Sequence, residues 1–341
     1  MTVYLGCYTD YAHPNGLKAL CVDEVAGLME VVAEYPVSNA IYQALSPDGC
    51  ILYSCMGEGL VSFFADGTRL GGIDEVRLGS CVCHVAAMPD GKRIVFADYL
   101  GGFAGSVAIE NGKFGEIVMH HRSGSGPNLL RQDKAHCHQA LPLPDGSGYA
   151  VCDLGNDEIV TYPDGRVFKT TPAGAGPRHL LFHPNGRLAF LVSELGNFVT
   201  SLSWSRADGF SAIDTLPTLA NANSVNPVNP VLNTDSSHIA AAIRLTPDMK
   251  RIVVSNRGED SLVVYDFDSE TGRLAFVTRT FLDGSWPRDF MFVSDDLALV
   301  AMERSGEVHM LRYEVATGSF KTIASLGGIF RPVALCKGEE R

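Results

Sequence analysis

The chain has 341 residues, 46% of them hydrophobic and 19% charged, with 35 glycines and 17 prolines. Charged content below the usual level of about 25% excludes wholesale disorder, and a chain of this size buries about three quarters of its unfolded surface without disulfide or metal staples. Lysine plus arginine total 27 against 39 acids, a net charge of −12, which argues against a nucleic-acid binder that works by counterion release.

The opening Met1-Thr2-Val3-Tyr4 has no basic stretch, and no apolar run approaches the roughly 18 residues of a membrane span, so a cytoplasmic protein without membrane association is expected. The nine cysteines run from Cys7 to Cys336 without CxxC pairs, and are expected to be reduced thiols filling the core.

In chain order, short apolar and β-branched runs predict strands around 3–8, 17–22 and 28–34. A turn signature then recurs: Pro47-Asp48-Gly49, Pro89-Asp90-Gly91, Pro144-Asp145-Gly146, Pro184-Asn185-Gly186 and Pro247-Asp248, with Ser294-Asp295-Asp296 as a degenerate sixth copy. The intervals are 42, 55, 40, 63 and 47 residues. Proline presets φ and Asp, Asn or Gly tolerates the left-handed position, so each copy suits a tight hairpin. Strand-length runs flank each turn, among them Arg93-Ile94-Val95-Phe96, Leu188-Ala189-Phe190-Leu191 and Ile252-Val253-Val254. Helical periodicity is scarce.

Units of about 40–50 residues that each carry such a hairpin describe a β-propeller. Trp286-Pro287-Arg288 and Phe330-Arg331-Pro332 open similar strands, and the last of these, 331–336, has no hairpin partner after it. Its expected partners are the N-terminal strands, because closing the ring removes exposed sheet edges. The expected fold is therefore all-β, a seven-bladed β-propeller closed by pairing of N- and C-terminal strands, forming one domain over 1–341 and needing no second copy. Two longer intervals hold polar loops, 122–128 and 221–230, which are expected at one mouth of the ring.

In a propeller, equivalent repeat positions converge on the central channel. Before the turns stand His136, His138, Arg178, His179, His238, Arg244 and Arg288; after them come Asp153, Glu194, Asn256, Arg257 and Glu303. Buried charge is costly unless paired or functional, so these positions carry the candidate chemistry. His136 and His138, two apart on a strand, would share a face, which suits a metal as well as catalysis; no third ligand stands at a suitable spacing, so no metal is assigned. Asp153 and Asp157 read as caps of backbone amides. The Gly124-Ser125-Gly126 run lacks the strand-to-helix context of a nucleophile elbow, and no phosphate loop or dinucleotide fingerprint occurs, so no cofactor is assigned. What is left is acid–base work with cationic stabilisation of an oxyanion.

Several motifs carry a family resemblance: Tyr4-Leu5-Gly6-Cys7-Tyr8-Thr9, Arg131-Gln132 with Ala135-His136-Cys137-His138, Asp153-Leu154-Gly155-Asn156-Asp157, Gly174-Ala175-Gly176-Pro177-Arg178-His179-Leu180, Ser255-Asn256-Arg257-Gly258 and Pro287-Arg288-Asp289-Phe290. In these, running nearly end to end, the chain resembles the seven-bladed propeller lactonases, the bacterial 6-phosphogluconolactonase group related to fungal carboxymuconate cyclases. The last turn departs from the proline–glycine pattern. The resemblance implies hydrolysis of a sugar-acid lactone, 6-phosphogluconolactone foremost. It implies His138, Glu194, Arg178 and Arg257 as the catalytic set, with water activated by His138 or Glu194 and the oxyanion met by the two arginines. Glu194, close to two arginines, is expected to be ionised with a lowered pKa, a poor base but a good orienter, which favours His138 as base. His136, Arg131, Arg288 and Asn256 are the expected substrate contacts, and Arg131, Arg288 or Lys134 would meet a substrate phosphate. Two other readings stay open: a cycloisomerase that forms a lactone from a muconate, and a non-enzymatic scaffold or sugar-binding module.

Overall fold

The computed structural model describes residues 1–220 and 237–338. The second of the two long loops expected from the sequence, 221–230, lies outside the described residues.

Five of the turns close by one chemistry. The amide at the third or equivalent turn position donates back to a carbonyl: Gly49 to Ser46 and Gly91 to Met88 at 2.9 Å, Gly146 to Leu143 and Gly186 to His183 at 3.0 Å, and Met249 to Thr246 at 2.9 Å. The Asp or Asn side chain in each turn accepts from the amide two residues on, as Asp48 does from Cys50 and Asn185 from Arg187. This geometry needs a left-handed residue: the four glycines have φ of 67–69°, and Met249 takes 58°. The sixth turn, Asp295-Asp296, joins Pro287–Ser294 to Leu297–Met302 with a register shift near Ser294.

Each turn links the innermost strand of a four-stranded antiparallel sheet to the second. The described residues form seven such sheets, and the inner strands are Gln43–Leu45, Val82–Ala87, Cys137–Pro142, Pro177–Phe182, Ile239–Leu245, Pro287–Ser294 and Pro332–Lys337. These seven lie side by side around a circle, each against the next. We number the blades 1–7 in the order of those inner strands. Blade 7 is composite: Pro332–Lys337 pairs with Thr2–Cys7, followed outward by Leu17–Asp23 and Leu28–Tyr35. The protein is thus an all-β, seven-bladed propeller whose ring is closed by its first and last strands.

The apolar core is not at the centre of the ring but between blades. Seven hydrophobic clusters each join one blade to its neighbour; Tyr53 and Leu60 of blade 1 meet Phe96 and Val107 of blade 2, and Val3 and Leu5 of blade 7 meet Leu299 and Met310 of blade 6. The channel itself is left to polar side chains. Arg244 donates to Asp289 at 2.6 Å, and His179 meets both His84 and His138 edge to face with ring centroids 5.8 and 5.4 Å apart. A cavity of about 20 Å³ remains between His138, Arg178, His179, Arg288 and Asp289, room for a single water. A substrate therefore has to enter at a mouth.

Candidate active site

The mouth where the inner strands begin gathers the reactive side chains. His138, Arg178 and Arg288 are the second residues of inner strands, while Arg257 ends a second strand and Glu194 and Glu303 come one residue after theirs. The loop between blades 2 and 3 adds Arg131. That loop is pinned by the buried Gln132, whose amide donates to Leu154 O and Asp157 Oδ1 at 2.8 Å. Asp157 in turn accepts from the amides of Gly174 and Gly176, which fixes the run leading into Arg178. Asp153 accepts from the amides of His136 and Asn156 and pairs with Arg122. Both aspartates hold backbone rather than face the channel.

Glu194 is buried at the centre of a cationic cage. Its Oε1 accepts from Arg131 at 2.5 Å; Oε2 accepts from Arg257 at 2.7 Å and lies 2.9 Å from Arg178 Nε. The Arg178 contact is an ion pair, since that N–H is not aligned as a hydrogen bond. Arg178 and Arg257 are further fixed by the carbonyls of Ala241 and Ala240, at 2.7 and 2.8 Å. Burial pushes the Glu194 carboxyl up, but Arg257, Arg131 and Arg178 outweigh it and hold it well below the usual carboxylate range. Burial and the Arg257 charge push Arg178 down, which Glu194 partly offsets.

His138 lies beside this cage, 3.9 Å from Glu194 Oε2, and its Nδ1 has no hydrogen-bond partner. At that separation no hydrogen bond joins Glu194 to the ring, because its oxygens are committed to arginines. Burial, reinforced by Arg178, drives the His138 pKa well below 6.5, and Glu194 opposes the shift without cancelling it. That shift favours the neutral imidazole at neutral pH.

Three further sequence expectations are corrected in detail. Asn256 does not reach the mouth: it is fully buried, and its amide donates to Thr218 O at 2.7 Å and Ser261 Oγ at 3.1 Å, while the adjacent Arg257 turns to Glu194. His136 is engaged at both nitrogens, with Tyr99 O at 2.8 Å and Asp133 Oδ1 at 2.9 Å, and its ring stacks on Tyr99. It does not pair with His138 as an equivalent ligand, because a register shift between Cys137 and Gln139 breaks the alternation. Lys134 donates to Leu100 O and stays on the exposed rim.

A second cluster borders the first. Glu303 pairs with Arg288 at 3.2 Å and with Arg331, and both guanidiniums lie over the ring of Tyr8. Arg257 acts electrostatically on both carboxylates. Taken together, Arg131, Arg178, Arg257, Arg288 and Arg331 face Glu194 and Glu303, an excess of three positive charges in a chain of net charge −12. Tyr99, which accepts from Arg131 and meets the His138 ring edge-on, and Trp286, stacked between Arg257 and Arg304, complete the walls.

Comparison with known proteins agrees with this architecture. The family description "Lactonase, 7-bladed beta-propeller" matches residues 2–333. The 6-phosphogluconolactonase of Bacillus subtilis is 29% identical over 356 aligned positions, covering 98% of both chains. An uncharacterised protein of Lactococcus lactis subsp. cremoris is 32% identical, with 93% of each chain covered. Among solved structures, the periplasmic gluconolactonase of Pseudomonas aeruginosa superposes with a TM-score of 0.86 at 25% identity over 98% of each chain. No helix among the described residues is long and apolar enough to cross a membrane. By the extent of the family match and the ring of seven blades, the chain belongs to the seven-bladed β-propeller lactonases.

Proposed function

We propose that the protein hydrolyses the lactone of an anionic sugar acid, 6-phosphogluconolactone above all, at the mouth built around Glu194. The observation that carries this reading is a neutral, buried imidazole beside guanidiniums that outnumber their carboxylates. A phosphorylated lactone is opposed at long range by the net charge of −12, but screening confines that repulsion to a Debye length of roughly 8 Å, within which the mouth presents its own positive excess.

In the reaction, His138 accepts a proton from water as the hydroxide oxygen bonds to the lactone carbonyl carbon. The carbonyl oxygen becomes an oxyanion stabilised by Arg178 and Arg257, which Glu194 holds in place before substrate arrives. The ring C–O bond then breaks, and the proton on His138 passes to the departing alkoxide, leaving the free acid. A donor aimed at an oxyanion contributes about 2.7–4 kcal/mol, so two supply roughly 5–8 kcal/mol, enough for an ester that opens readily by itself. An anionic substrate among these guanidiniums also raises the depressed His138 pKa towards working pH.

The test is acid release from fresh 6-phosphogluconolactone and from glucono-δ-lactone, with the spontaneous rate subtracted, for the native protein and for His138→Ala and Arg257→Ala. Turnover by the native protein is expected to fall at least about a hundredfold in each variant. No rate above background on either lactone would overturn the proposal, and activity on a muconate instead would assign the chain to lactone formation.

A further inference from the structure

The cage around Glu194 accounts for Arg131, Arg178 and Arg257 and leaves Arg288 and Arg331 without a part in ring opening. Glu303 accepts from Arg288 Nη1 at 3.2 Å through one oxygen, and from Nε at 3.2 Å and Nη2 of Arg331 through the other. That pairing leaves Nε and Nη2 of Arg288 and Nη1 of Arg331 outside it. Two cations share one carboxylate, so the group keeps a net positive charge. The Arg331 side chain is 48% exposed, and Arg288 borders the central cavity together with His138. The group thus opens on one side to solvent and on the other to the imidazole.

The backbone places Arg331 there as a feature of the repeat. Arg331 has φ of 44° directly before Pro332, as Trp286 has 71° before Pro287 and Gly176 has 65° before Pro177, each at the entry to an inner strand. What it achieves here is to lay a guanidinium 4.2 Å from the Tyr8 ring centroid, beside Arg288 at 5.3 Å. Beyond Tyr8 a cavity of about 180 Å³ opens, bordered by Phe330 and by the Lys18–Glu34 ion pair.

We propose that Arg288 and Arg331, with Tyr8 as floor, form an anion subsite that takes the phosphate monoester of the substrate while the lactone ring lies against His138, Arg178 and Arg257. This rests on the lactonase reading above. A guanidinium fork suits a phosphate, which accepts several parallel N–H bonds, and Glu303 keeps the two forks together when no phosphate is bound.

The experiment compares the native protein with Arg331→Asn and Arg331→Lys. Asparagine adopts left-handed backbone more readily than most residues, so the first variant removes the guanidinium while relieving the backbone, and an unchanged or higher Tm verifies its fold. Each is assayed on 6-phosphogluconolactone and glucono-δ-lactone, and each is titrated with 6-phosphogluconate and with gluconate by calorimetry. Arg331→Asn is expected to lower kcat/KM on the phosphorylated lactone by about 10- to 100-fold, chiefly through KM, and to lower the preference for it over the unphosphorylated lactone at least about tenfold. Arg331→Lys should recover part of that preference. Equal losses on both lactones would overturn the subsite. Should the native protein open neither lactone, the lactonase reading falls and the titrations decide alone: tighter binding of 6-phosphogluconate than gluconate, weakened by Arg331→Asn, upholds the subsite, and any other result overturns it.

Discussion

His138 illustrates how a residue's working state is set by what surrounds it. A histidine in water titrates near 6.5, but here burial and the Arg178 charge lower the pKa well below that. The pH dependence of kcat/KM on glucono-δ-lactone, which carries no phosphate to titrate in this range, reports groups of the free enzyme and should therefore show no break between about pH 6 and 7.5 once the spontaneous rate is removed. A fall in kcat/KM centred near 6.5 would mean that the ring is exposed to solvent or is not the proton acceptor. Glu194 works through the cations around it. It gathers three arginines that would otherwise repel one another, so its removal would leave those cations unbalanced in a buried place.

The hairpin turns are the elements most readable from the amino acids alone, because their chemistry is local. Asp or Asn at one position and glycine at the next write both the side-chain cap and the positive φ into a few residues. Met249 is the exception that tests this account. It occupies the left-handed position of the blade 5 turn at φ 58° and is 43% exposed, so it gives up backbone comfort for little packing. Met249→Gly should stabilise the protein by roughly 0.5–1 kcal/mol, the left-handed penalty less the added freedom of the unfolded chain. A lower urea midpoint for the variant would show that the methionine has a packing role.

The same locality explains which parts of the mouth were legible. His138, Arg178, Glu194 and Arg257 fall at hairpin-anchored positions and could be placed by counting. Tyr8, Tyr99, Trp286 and the side chain of Arg331 lie in connections outside the hairpins, where no repeat gives a register. Asn256 was misplaced because, at a strand end, one residue of a neighbouring pair turns to the channel and the other ties the strand to its linker. The single signal that could have singled out Arg331 was its place before a proline in a motif shared with Trp286, and that motif says nothing of where the side chain goes.

For the whole molecule, the division between apolar seams and a polar axis has a thermodynamic consequence. His84, His138 and His179 are all buried in the channel with pKa values pushed down, chiefly by burial, His84 to about 3. In the unfolded chain each would take up a proton near pH 6.5; in the fold none does. The unfolded state therefore binds more protons as pH drops below about 6.5, and stability is lost at a rate approaching roughly 1.4 kcal/mol per pH unit for each histidine, about 3 kcal/mol for the three between about pH 6.5 and 5.5. The carboxylates held low, Glu194 and Glu303, contribute their own loss only at lower pH. Urea midpoints should be level above pH 7 and fall steeply from 6.5 to 5.5. A constant midpoint across that interval would show that the channel imidazoles accept protons without unfolding.

The composite blade also sets an order of events during synthesis. Val3 pairs with Lys337, so the ribosome makes an inner partner for Thr2–Cys7 only after some three hundred further residues. Throughout that interval the first strands to emerge present a bare β edge of alternating Val, Leu and Tyr, and six nascent blades wait beside it as an open arc. The bond that turns the arc into a ring is the last to become possible, and until then the growing chain must be kept from finding a substitute edge on its neighbours.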